Sequence, residues 1–156
     1  MTQSEQPFYP YCICTTAAEK AITSLLEGTG AGSYRVNEPW LIAAELADAA
    51  RLEKQQLAIL FATGEDLHFS HWSAIVGLDV VELHKGAYET RCEFTRLKDV
   101  NPIFSPIDAL MLKPSSEQLR REELEGIRQH RYSLTAGELH PYAICETPGF
   151  LLDTSH

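Results

Sequence analysis

Apolar positions along the chain fall into two kinds of β-like run and one helical pattern. The first kind is apolar on both faces: "PYCICTT" (10–16), "QLAILFAT" (56–63) and "PYAICET" (141–147) are short and β-rich. Such runs predict strands buried on both sides. The second kind has one wet face. In "AYETRCEFTRL" (87–97), Tyr88, Thr90, Cys92 and Phe94 alternate with Glu89, Arg91 and Glu93. With "SAIVGLDVVEL" (73–83) and the turn "HKG" between them, this predicts a hairpin, with a bulge or bend at Gly77. "DALMLK" (108–113) and residues 132–134 read as further short strands, and "GEDLHFSHW" (64–72) reads as a loop.

Helical spacing appears three times. Thr16 and Glu19 have capping-box spacing ahead of Ala18, Ile22, Leu25 and Leu26, and Gly28 is a stop. "GTGAGS" (28–33) follows as a linker; it lacks the Gly-Lys-Ser/Thr ending of a phosphate loop. A second helix is predicted from a cap at Asn37, with Pro39 in its first turn, to about Lys54. It carries one stripe of Trp40, Ala43, Ala44 and Ala47 and another of Ile42, Leu46 and Ala49, a broad Ala-rich face suited to a sheet. A third spans 114–131, with Ser115 and Gln118 at capping-box spacing. Its apolar residues are few (Leu119, Leu124, Ile127), which places it on the surface. The order β-α-α-β-β-β-β-α-β argues against a doubly wound parallel sheet. It predicts an α+β fold: a mixed, mostly antiparallel sheet, curled or closed into a small barrel, with about three helices around it.

The 156 residues suit one domain, 1–156, with disorder expected in 1–7. The net charge of -9 is spread along the chain: residues 1–66 carry 4 basic and 9 acidic side chains, and 67–156 carry 9 and 13. That balance weighs against non-specific nucleic-acid binding, which needs many cations on phosphates. It is compatible with a local basic groove or a small ligand. The N-terminus lacks the basic-then-apolar pattern of a signal peptide, and no apolar run has the length of a membrane span. Cys12, Cys14, Cys92 and Cys145 contain no CxxC pair and read as buried, reduced thiols of a cytoplasmic protein, so neither metal nor cofactor is expected.

Two features bear on function. "PYCICTT" and "PYAICET" align Tyr11 with Tyr142, Ile13 with Ile144 and Cys14 with Cys145. Each therefore has a Tyr–Ile face and a small-residue face, the latter expected to let helices approach closely. The Tyr faces either pack or line a cavity. The second feature is "DLHFSHW" (66–72), which concentrates Asp66, His68, Ser70, His71 and Trp72. It has no third metal ligand nearby and no GxSxG elbow, but Trp and His together offer a stacking surface with polar edges. Arg91, between Glu89 and Glu93, either pairs with them or clamps an anion. The third helix is a charged, solvated face, and Arg128, His130 and Arg131 at its end suit the helix dipole.

In element order the chain resembles the PUA-like superfamily, which includes EVE and ASCH domains. The resemblance rests on "QLAILFAT", the bent "SAIVGLDVVEL", the wet-faced "AYETRCEFTRL" and the ending "HPYAICETPGFL". The ASCH Gly-x-Lys…Arg signature is absent, and "HKGAYETR" is only its echo. The resemblance implies a binding module for RNA or a nucleobase- or nucleotide-like ligand in an aromatic-lined cavity, with Tyr11, His71, Trp72, Arg91 and Tyr142 as its lining. Two other function classes stand beside it. One is a small hydrolase or nuclease using His68 or His71 with Asp66. The other is an interaction protein, an adaptor or homodimer subunit, without a pocket.

Overall fold

A computed structural model of the chain describes residues 7–28, 32–100, 106–128, 131–139 and 142–149. The terminal segments, residues 29–31 of "GTGAGS", the Pro-bearing segment 101–105, and residues 129–130 and 140–141 lie outside the described set. The fold is α+β. Its elements are β1 (Tyr11–Thr16), α1 (Glu19–Glu27), β2 (Gly32–Val36), α2 (Leu41–Leu52), β3 (Ala58–Thr63), β4 (His68–His84), β5 (Ala87–Phe94), β6 (Lys98–Asp99), α3 (Ser116–Glu125) and β7 (Ala143–Glu146). The sheet order is β2-β5-β4-β3-β1-β7, with β6 on β4. Only the β1–β3 pairing is parallel among these strands. The sheet is open, ending at β2 on one side. Beyond β7 it is extended by bridges through Leu112 and Ser133.

The two PY phrases are neighbours in space. β1 and β7 run antiparallel with Cys12 opposite Cys145 and Ile13 opposite Ile144. Because successive strand residues face opposite ways, the sheet separates two cores. Cys12, Cys14, Ala143 and Cys145 face one, with Leu60, Phe69, Leu110, Leu134 and Leu139. Tyr11, Ile13, Tyr142 and Ile144 face the other, with Trp40, Ala43, Leu46 and Phe61. The small-residue face therefore does not receive α1 and α2, as the sequence suggests. Those helices pack on the Tyr–Ile face, where alanines on α2 leave room for the aromatic rings. Loops and 3-10 turns cover the thiols.

Local signals and observed elements part company at four places. Neither α1 nor α2 has a side-chain cap: their N-caps are Ala18 and Trp40, not Thr16 and Asn37. For α2 the job passes to tertiary partners. The Ala43 amide donates to Tyr142 Oη at 3.2 Å, the Trp40 amide donates to Thr90 Oγ1 at 2.9 Å, and Thr90 Oγ1 donates to the Glu38 carbonyl. The segment before α2 contains β2, hidden in the sequence because its five residues, "GSYRV", carry no clear alternation. The third helix does carry its Ser115 cap, which accepts from the Gln118 amide at 3.1 Å, but it ends at Glu125. Gly126 adopts φ 71°, ψ 17° there, the left-handed conformation that closes helices.

The fourth difference matters most for the site. Most of "GEDLHFSHW" is strand. The turn is confined to 64–67, where Gly64 takes φ 84° and Leu67 φ 41°, and β4 then runs unbroken for 17 residues. Its first half pairs with β3 and its second with β5, with a register shift between Ile75 and Gly77, where a bulge was expected. Among the described residues no helix is long and apolar enough to cross a membrane.

Candidate functional site

A second irregularity in β4 builds the site. Phe61 pairs with His71 and Ala62 with Phe69, so Ser70 is an extra residue on β4. In a bulge two residues oppose one, and the ordinary up–down alternation is interrupted. Here the Ser70 hydroxyl comes to lie 2.9 Å from His71 Nδ1. His71 Nε2 lies 3.3 Å from an Asp99 carboxylate oxygen, which the β4–β6 pairing brings directly opposite. A carboxylate only accepts, so in neutral His71 the proton sits on Nε2, and Nδ1 accepts from Ser70. The imidazole is largely buried, 15% exposed, while Asp99 is 93% exposed. Asp66, the carboxylate expected beside the histidines, sits on the exposed turn instead.

His68, Ser70 and His71 form one side of a cavity of about 280 Å³. The other side is α1, which presents Glu19, Ile22, Thr23 and Leu26. Those four positions are spaced i, i+3, i+4, i+7 and so share one helix face. Thr63, at the end of β3 and paired with His68, completes the lining. The cavity thus joins two aliphatic side chains, two imidazoles, three hydroxyls and one carboxylate. A larger groove of about 720 Å³ lies between the C-terminal end of α2 and the bend of β4, but it includes none of the five sequence candidates.

Of those five, His71 alone lines the smaller cavity. Trp72 follows it in a strand and therefore points to the opposite face. There it packs against the thiol-bearing core, with Phe8 edge-on at 5.6 Å and Lys98 Nζ 5.1 Å above its ring. Tyr142 is half-buried; its ring lies 4.5 Å from that of Trp40 and its hydroxyl serves α2. Burial raises its pKa, partly offset by the Ala43 and Ile42 amides that bond its oxygen. Tyr11 lies beneath Lys113, 5.1 Å from ring centroid to Nζ, and burial followed by the charge of Glu146 raises its pKa. Arg91 pairs with Glu89 at 2.5 Å, on the wet side of the hairpin. The five residues do not share one cavity.

Glu19, Thr23 and Thr63 were not singled out by the sequence. Glu19 reads there as half of a capping box, and the threonines as ordinary helix and strand positions. The i, i+3, i+4, i+7 spacing was available as a signal, but only the return of β4 beneath α1 makes that face a wall. Among the described residues, no group of three or more His, Cys, Asp and Glu side chains is arranged to hold a metal ion.

No family model matches the sequence, and no curated protein matches it. Among solved structures, the chain is similar to the crystal structure of the MmI1 YTH domain, over 83% of this chain and 89% of that one, with 9% sequence identity and a TM-score of 0.35. Likeness at that distance carries no argument about fold or function.

Proposed function

We propose that this protein is a binding module, on a PUA-like frame, for a nucleobase-bearing ligand, either a nucleotide or an unpaired base of RNA, held in the cavity between α1 and β4. One observation carries the reading: an aliphatic wall from Ile22 and Leu26 faces the imidazoles of His68 and His71, with hydroxyls and a carboxylate around the rim. Apolar walls with a few converging polar groups are what small-ligand sites use, and histidine rings are among the surfaces on which unpaired bases stack. The cavity lies just below the ~300–1,000 Å³ of ordinary ligand pockets, which suits one ring system better than a dinucleotide. The net charge of -9 likewise favours a single base over a duplex.

Calorimetric titration with nucleosides and with short single-stranded RNA tests this. Binding that His71→Ala weakens at least tenfold, with the far-ultraviolet dichroism unchanged, supports the site. Equal binding by the parent and His71→Ala would place the ligand elsewhere.

A hydrolase is the second reading, favoured by the Ser70–His71–Asp99 hydrogen-bonded chain. The nitrogens are used in the reverse order to that of the serine-protease triad, where Nε2 faces the serine. Labelling of Ser70 by a fluorophosphonate would support this reading; an unlabelled serine at saturating reagent would remove it.

A further inference from the structure

We infer that the cavity between α1 and β4 selects a ligand edge carrying two adjacent N–H donors, which among the common nucleobases means guanine, and that Glu19 is the residue that reads it. The inference rests on the binding reading above and narrows its ligand class.

The argument is an inventory of hydrogen-bonding capacity. Glu19 lies in the first turn of α1 and contributes to the cavity wall. Its side chain makes no hydrogen bond or ion pair with any described residue. An ionised carboxylate has two acceptor oxygens and no donor. The helix dipole also favours negative charge in the first turn. The remaining polar side chains on this wall and the strand floor, Thr23 and Thr63, are hydroxyls that donate or accept as required. Thr63 belongs to a residue only 5% exposed, yet its hydroxyl also has no partner among the described residues. Ser70, which gives its proton to His71 Nδ1, adds one neutral acceptor, so of the lining side chains Glu19 alone offers two charged acceptor oxygens side by side.

The pairing edges of the bases differ in how they meet a carboxylate. Guanine offers N1–H and the N2 amino group side by side, two donors for two oxygens. Adenine and cytosine each offer one amino donor beside a bare ring nitrogen, whose lone pair a carboxylate repels. Uracil offers one N–H between two carbonyls. Charge-assisted, two-point bonds of the guanine kind are about twice as strong as neutral ones. Glu19 is exposed, so a mismatched base forfeits the two bonds without stranding a buried charge, which sets a preference of roughly tenfold. Ile22 and Leu26 and the imidazole of His71 then supply the faces between which a flat ring lies.

The test is a titration series of guanosine, inosine, adenosine, cytidine and uridine against the intact chain, its Glu19→Gln variant and its His71→Ala variant. Glu19 is exposed on a surface helix, so Glu19→Gln is compatible with the native fold. Guanosine is expected to bind at least tenfold more tightly than adenosine, with inosine, which lacks the N2 amino group, in between. Glu19→Gln, which replaces one acceptor oxygen with an amide donor, should weaken guanosine and strengthen adenosine, whose edge pairs one donor with one acceptor, so that the preference is lost or reversed. Adenosine or uridine binding as tightly as guanosine would overturn the guanine inference and leave the nucleobase reading standing, provided His71→Ala abolishes binding. The same holds if Glu19→Gln leaves guanosine affinity unchanged. Absence of binding by all five nucleosides at millimolar concentration would remove both.

Discussion

Arg131 is the most sharply testable structural residue. It follows α3 and bonds Glu122 on that helix through both terminal nitrogens, with Nη2 2.9 Å from Glu122 Oε1. Its Nε also donates to Glu146 of β7 at 3.0 Å. It therefore ties a helix with no buried residue to the last strand. Hydrogen bonds to Glu122, and then to Glu146, raise its already high pKa, so it stays charged at any working pH. An exposed ion pair contributes ~0–1 kcal/mol, whereas breaking a buried one costs ~3–5 kcal/mol. Side-chain exposures of 10% for Arg131 and 11% for Glu122 point to the upper range. Against that, Glu146 is 25% exposed and keeps Arg128, and Glu122 keeps the Gln118 amide at 3.2 Å. Arg131→Met, which preserves the aliphatic stem, should therefore cost about 2–3 kcal/mol. At a urea slope of about 2 kcal/mol/M, the unfolding midpoint falls by about 1 M. Adding Glu122→Met to that variant should recover much of the loss, because no charge is then left in the site without its cation. A single variant within about 0.5 kcal/mol of the parent would refute the argument. So would a double variant less stable than the single one. Either result would mean that the network behaves as a solvated surface pair.

Three further predictions follow from the packing. Tyr142→Phe keeps the ring on Trp40 but removes the oxygen that bonds the Ala43 amide; loss of such a cap should cost about 1 kcal/mol in urea unfolding, and a change below a few tenths would deny the hydroxyl that role. Burial, reinforced by Glu93, pushes the Cys92 thiol up to about 12. Below the ordinary thiol pKa of ~8.5 both states hold the proton, and above it the unfolded chain releases it first, so stability should fall by up to ~1.4 kcal/mol per pH unit until the folded pKa is reached. Urea titrations from about pH 8 to about pH 11 should show that slope reduced in Cys92→Ala, though not abolished, since burial also raises Cys14, Tyr11 and Tyr142; identical slopes would contradict the assignment. Finally, Gly126→Ala places a side chain in the left-handed region at φ 71°. It should lower the melting temperature by about 3 °C, from ~1 kcal/mol of strain in a chain of this size, and no change would mean that the helix end relaxes freely.

By itself the sequence determined the fold class, the largely buried strands β1, β3 and β7, the β4–β5 hairpin with its bend near Gly77, and the Ser115 cap. Each of these is written in local chemistry: period-2 alternation, uninterrupted apolar runs, a serine three residues ahead of the amide it caps. Even the recurrence of "PYCICTT" as "PYAICET" spoke correctly of two strands in one sheet. What lay on either side of those strands was decided by tertiary structure. Trp40, Ala43 and Tyr142 are distant in sequence, and only their meeting turns a tyrosine into a helix cap and directs α2 to the Tyr–Ile face. The candidate site shows the same division. His71 and Trp72 look like one aromatic cluster while their segment reads as a loop, but in a strand adjacent side chains diverge, and they end on opposite faces of the sheet. Conversely, Glu19, Thr63 and Asp99 acquire their places beside His71 only because a bulge at Ser70, a short pairing with β6 and the path of α1 bring them together. Those are long-range contacts, and no local pattern of residues encodes them.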